Sequence, residues 1–203
     1  MGLLSINDAY VTELNWRPDV YEDMEWIWFV PLVAAVLHIL EEFVYPGGFA
    51  EWDRNYRPGI RKSITRRFHI VINAALVIAC INIALAGYGE SLRLGATGVR
   101  SGVSPRFAPI GWLVLAALLF SNAVFHIVGT VRSGRRSPGV ISGVGIYLPM
   151  AAYGYFHFVS TGLVAPWLAV VAALVGSSYH FWAALIHKRR SRLCSCDEES
   201  ISP

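Results

Sequence analysis

Five runs of about twenty or more mainly apolar residues dominate this chain, at 26–45, 68–88, 107–131, 140–160 and 164–187. Each is long enough to cross ~30 Å of hydrocarbon as a helix. Lipid offers no hydrogen bonds, so the backbone of each run must satisfy itself, which a helix does. The expectation is an all-α, polytopic membrane helix bundle of about five transmembrane helices, built as one domain over residues 1–203. Composition agrees, because 55% of the residues are hydrophobic, only 15% are charged and mean hydropathy is +0.47, more apolar than a water-facing chain tolerates.

The loops predict orientation. Arg54, Arg57, Arg61, Lys62, Arg66, Arg67, Arg132, Arg135, Arg136, Lys188, Arg189, Arg190 and Arg192 fall on one side, against Arg17, Arg93, Arg100 and Arg106 on the other. Positive short loops stay cytoplasmic, which puts the N-terminus outside and the C-terminus in the cytoplasm. The net charge of +3 then reflects topology and requires no nucleic acid. Residues 1–25 form a polar segment without the basic start of a cleaved signal peptide, so the first span is expected to be retained. Met1-Gly2 lacks the usual Ser/Thr spacing of a myristoylation site, since Ser5 is one place short.

Residues 46–67 form a basic loop in which Trp52, Tyr56 and Ile60 recur every four residues. Such a segment either lies on the inner leaflet by that face or is a solvated loop that holds orientation. Ser137-Pro138-Gly139 predicts a tight turn, and Pro149 a bend in the fourth span. Residues 188–203 form a cytoplasmic tail. Its Cys194 and Cys196 face a reducing compartment, where a structural disulfide does not persist, although palmitoylation is compatible with the adjacent bases. Cys80 reads as a small packing residue, and His157 and His187 as interfacial.

Polar residues inside the spans carry the functional signal. They are His38, Glu41 and Glu42 late in the first span, His69 and Asn73 early in the second, Asn122 and His126 late in the third, and His180 late in the fifth. Alternating helix direction brings all of them to one depth, near the cytoplasmic end. Ionisable groups within a bilayer are costly and persist where they pair, line a cavity or bind something. Singly, each has a plainer use: His69 or an Asn can join helices by a hydrogen bond, and Glu41 and Glu42 can sit among headgroups. Jointly, they read as a buried metal site.

Spacings of three and four residues share a helix face, so His38 can point with Glu41 or Glu42, although those neighbours diverge by about 100°. Imidazole and carboxylate suit iron or zinc, and Asn can position a ligand or water. The expected metal ligands are His38, Glu41, His69, His126 and His180, with Asn73 and Asn122 as orienting groups and Glu42, or Glu41, as catalytic base. One or two ions fit this count, with iron favoured over zinc.

His38-Ile39-Leu40-Glu41-Glu42, His69, Asn122 to His126 and the Ser137-Pro138-Gly139 turn together resemble the bacterial HxxEE-motif integral membrane family, over about 26–149. That family is largely of unknown function, so the resemblance implies a shared intramembrane site and no particular reaction.

The residues favour a membrane-embedded, non-haem iron oxidoreductase, with one or two irons, acting on a lipophilic or amphipathic small molecule with an unidentified electron donor, in the bacterial inner membrane. A zinc-dependent hydrolase of a lipid-like ester or amide is the alternative, though no His-Glu-x-x-His pair is present. A metal- or proton-binding transporter, or an assembly protein, would use the same residues without catalysis.

Overall fold

The computed structural model describes residues 25–44, 48–97 and 107–199. The readings made on residues 1–24, on Arg100 and Arg106, and on the side chains of Cys194 and Cys196 lie outside the described residues. Every regular element among the described residues is helical. A 3₁₀ turn (Glu25–Phe29) leads into α1 (Val30–Val44), then come α2 (Gly48–Tyr56), a second 3₁₀ segment (Pro58–Ser63), α3 (Arg66–Thr97) and α4 (Phe107–Ser133). After the turn come α5 (Val140–Ser142), a π-helical segment (Gly143–Tyr147), α6 (Leu148–Ser160), α7 (Pro166–Ser177) and α8 (Tyr179–Glu199).

Among the described residues, four helices are long and apolar enough to cross a membrane, at Glu25–Val44, Arg66–Arg93, Phe107–Ser133 and Pro166–Arg192. The remaining expected span, 140–160, is one helical run broken in type by the π segment. That break sits just before Pro149, whose missing N–H removes one helical hydrogen bond and whose ring crowds the preceding turn. The irregularity expected at Pro149 therefore takes the form of a widened turn. The last span also changes helix at Ser178, where α7 passes into α8.

The helices are inverted relative to those of a water-soluble protein. On α1, Val33, Leu37, Leu40 and Val44 are exposed, whereas His38 and Glu42 are 2% and 6% exposed. An apolar exterior costs nothing in lipid, and association then depends on close packing and interhelical hydrogen bonds. Helix α4 is the hub, touching α1, α3, the π segment, α6, α7 and α8. Small residues allow the approach: a side chain at Gly176 would collide with the α4 backbone at Val114, and one at Gly154 with the Trp112 ring. Two indole N–H groups fasten the entry to α1, Trp28 donating to Ser91 Oγ (3.0 Å) and Trp112 to the Ile27 carbonyl (2.9 Å).

Helix α2 folds back onto the bundle. Trp52 stacks on Tyr56 and lies edge-on to Phe125 of α4, and its ring occupies the space left by Gly129. The Trp52/Tyr56 face thus packs against protein. The basic segment around it is anchored by Asp53, fully buried and paired with Arg57 through Nε to Oδ1 at 2.6 Å.

Candidate metal centre

The end of α1, the end of α4 and the turn into α5 meet at one end of the bundle. His38 and Glu42, one helical turn apart on α1, face His126 of α4. All three are buried, and one ligand atom from each lies within 4.8 Å of the others. Glu42 Oε1 is 3.4 Å from His38 Nε2 and 3.4 Å from His126 Nε2. The rings of the two histidines meet edge to face with centroids 4.9 Å apart.

Hydrogen bonding fixes which nitrogens are available. The Asn122 amide can only donate through Nδ2, and it lies 3.0 Å from His38 Nε2 and 3.3 Å from His126 Nε2. With the Asn122 amide as donor, each Nε2 accepts and each Nδ1 carries the hydrogen. Each Nδ1 meets a serine hydroxyl, His38 with Ser142 Oγ at 2.9 Å and His126 with Ser137 Oγ at 2.8 Å. Imidazoles held by their far nitrogen, with the near one turned toward a carboxylate, have the arrangement of metal ligands. Two imidazole nitrogens and a carboxylate oxygen converge here, and a bound cation would join all three. The group is chemically fit to hold a metal ion.

The turn between α4 and α5 builds this support. Gly139 adopts φ +93°, in the left-handed region open to glycine, and a Cβ there would lie 2.6 Å from His38 Cε1 and 3.0 Å from His126 Cε1. Turn and rings are in direct contact. Ser137 and Ser142 flank it, Ser137 N donating to Thr130 Oγ1 at 2.9 Å. Tyr147 of the π segment stacks on the His38 ring, with centroids 4.5 Å apart.

The two adjacent glutamates divide. Sequence reasoning favours Glu41 as ligand and Glu42 as base, but the carboxylate beside the histidines is that of Glu42. Glu41 lies about 100° further round α1 and receives Ser142 Oγ at 2.6 Å, Ser142 N at 2.8 Å and Ile141 N at 3.2 Å. It satisfies amides at the start of α5, where a negative charge is favoured, and Arg136 approaches it at 3.6 Å. Since the single Ser142 hydrogen goes to Glu41, Ser142 Oγ accepts from His38 Nδ1, so Glu41 acts on His38 through a hydroxyl.

The other expected residues surround the triad without joining it. Asn73 Nδ2 donates to Glu42 Oε2 at 3.3 Å. His69 Nδ1 is turned to the Thr65 carbonyl (3.0 Å), and its ring meets Phe49. His180 stacks on Phe125 with centroids 5.2 Å apart. His187, expected at the interface, is buried and bonded to Ser63 at 2.9 Å. The residues that sequence reasoning missed are Ser137, Ser142 and Tyr147. Ser137 was visible only as part of a turn, and Ser142 and Tyr147 carried no signal.

A cavity of about 300 Å³ opens beside the triad, lined by Glu42, Asn73 and Asn122, by apolar side chains mainly of α3 and α4, and by Tyr179, His180 and His187 of α8. A family model described as a protein of unknown function with HXXEE motif matches residues 28–154, more than half of the chain. The chain belongs to the HXXEE family. No curated protein and no solved structure matches it. The HXXEE match includes the whole triad and both serines, whereas His180 and His187 lie beyond it. The glutamates of the motif's name have separate surroundings here: Glu42 faces the histidines and Glu41 faces the turn that holds them.

Proposed function

We propose that this HXXEE protein is a metal-dependent oxidoreductase of the bacterial inner membrane that acts on a lipophilic or amphipathic small molecule. The observation that carries the reading is the pairing of a two-histidine, one-carboxylate group with an apolar cavity. That ligand set is the one used by non-haem iron(II) sites with open positions. His38, Glu42 and His126 would hold one ion, which would supply one-electron chemistry toward dioxygen with an external electron donor. Asn73 and Asn122 would orient Glu42 and a cavity-side ligand, and the apolar walls would exclude water. The basic loops favour a cytoplasmic position for this end of the bundle.

Hydrolysis at zinc is the second reading. A zinc hydrolase needs a base beside the metal to take a proton from water, and Glu42, the one carboxylate among the lining residues, would be occupied as a ligand. His69 is the observation that sustains this alternative. Its Nδ1 is turned to the Thr65 carbonyl, and the residue lines the cavity, where Nε2 would take the proton.

The deciding experiment is oxygen uptake by iron-loaded protein in nanodiscs, supplied with ascorbate and a bacterial lipid extract. Extract-dependent uptake in the wild type that is lost in Glu42→Gln is expected. No uptake, together with ester hydrolysis by zinc-loaded protein that His69→Gln abolishes, would overturn the oxidative reading in favour of the hydrolytic one.

A further inference from the structure

The cavity beside the triad contains a buried polar atom that the metal site leaves unused. His180 lines it, and its Nε2 is buried with no hydrogen-bond partner. The ring is fixed by stacking on Phe125 at an interplanar angle of 14° and by an edge contact with Tyr179, centroids 5.0 Å apart. Three other polar residues of the lining are held by neighbouring groups: His187 through Nδ1 with Ser63, His69 through Nδ1 with the Thr65 carbonyl and Arg57 with Asp53. A buried imidazole nitrogen without a partner is unfavourable, and more so where lipid replaces water. The surfaces around it, including Leu76, Leu115, Leu118 and Ala183, suit a hydrocarbon body.

We infer that His180 is the recognition residue for a hydroxyl group on a lipophilic ligand, so that the cavity selects long-chain alcohols or phenols over hydrocarbons and ethers of the same shape. The ligand donates its O–H to Nε2, and its apolar body lies along α3 and α4 toward Glu42 and Asn122. This gives His180 a role at the substrate in place of the metal-ligand role that its sequence position suggested. The inference deepens the proposed function and rests on the cavity being its substrate site, but binding at His180 requires no metal.

The test uses metal-free full-length protein in nanodiscs, with 1-dodecanol and methyl dodecyl ether as probes, each competing against a photoreactive fatty alcohol. Wild-type protein is expected to prefer the alcohol. His180→Phe, which keeps the stack on Phe125, should lose about five- to tenfold in affinity for the alcohol, the worth of one neutral hydrogen bond, and nothing for the ether. Comparing variants cancels the partition of each probe into lipid. His180→Gln, which returns an acceptor near the Nε2 position, should recover part of the loss. Equal affinity of wild type and His180→Phe for the alcohol, or parallel losses for both probes, would overturn the inference. Loss of bound metal in His180→Phe would instead return His180 to the ligand set. Because oxygen uptake is not measured, failure here and failure of the oxidative reading remain separate results.

Discussion

Gly139→Ala tests the support of the metal centre from the backbone outward. Two costs can be separated. The left-handed φ of +93° makes any L side chain unfavourable by about 1–2 kcal/mol. In addition, the new methyl would stand 2.6 Å from His38 Cε1 and 2.9 Å from its Nε2. Restoring ordinary contact at about 3.4 Å requires the ring to retreat by roughly 0.8 Å. Tyr147, stacked on the same ring with centroids 4.5 Å apart, restricts its movement. A metal–nitrogen bond near 2.0–2.1 Å does not tolerate such a shift, so metal affinity should fall by at least the ~10–100-fold seen when outer support is lost. Gly134→Ala is the matched control, because Gly134 also has positive φ (+63°) but nothing within 4 Å of its missing Cβ. Both variants should lose thermal stability, while only Gly139→Ala should need a higher free metal concentration in chelator-buffered equilibrium dialysis. Equal metal affinity in the two variants would refute the contact-based reasoning.

Three further predictions follow from the same geometry. Glu42→Gln should abolish stoichiometric metal, whereas Glu41→Gln should retain it at reduced affinity and lower the unfolding free energy by about 1 kcal/mol through the weakened start of α5; metal analysis beside thermal unfolding reads both. Ser137→Ala and Ser142→Ala should each weaken metal binding by about 10–100-fold by releasing an imidazole Nδ1, measured in the same dialysis assay. Arg57→Ala should destabilise the fold by about 2 kcal/mol, less than the loss of a fully buried pair because Arg57 is 28% exposed while Asp53 is completely buried. Arg57→Ala/Asp53→Asn should recover stability, and detergent-phase unfolding checks the pair.

The architecture was legible because lipid imposes a simple rule. Runs of apolar residues of spanning length mark the helices, and the alternating direction of those helices brought His38, Asn122 and His126 to one level. Helix rotation was less legible. Glu41 and Glu42 both follow His38 at spacings that permit a shared face, and only packing of α1 against α4 and α5 decides that Glu42 faces inward. His69 and His180 have a suitable depth but emerge on other sides of the cavity, a lateral distinction that depth cannot supply. Ser137 and Ser142 were hidden for a different reason. Serine is common at turns and helix starts, and its value here comes from the histidine nitrogen it meets across the fold. Trp52 and Tyr56 showed the opposite case, a periodic aromatic face that fits lipid and protein equally, resolved only by the gap that Gly129 leaves on α4.

Metal content of the purified chain, prepared in detergent without chelator and measured beside Glu42→Gln and His180→Phe, tests the central claim most directly. The account predicts about one ion per chain in the wild type, its loss in well-folded Glu42→Gln, and its retention in His180→Phe. Absence of stoichiometric metal from well-folded wild-type protein under aerobic and anaerobic preparation, or equal metal in Glu42→Gln and wild type, would contradict a metal centre built on His38, Glu42 and His126.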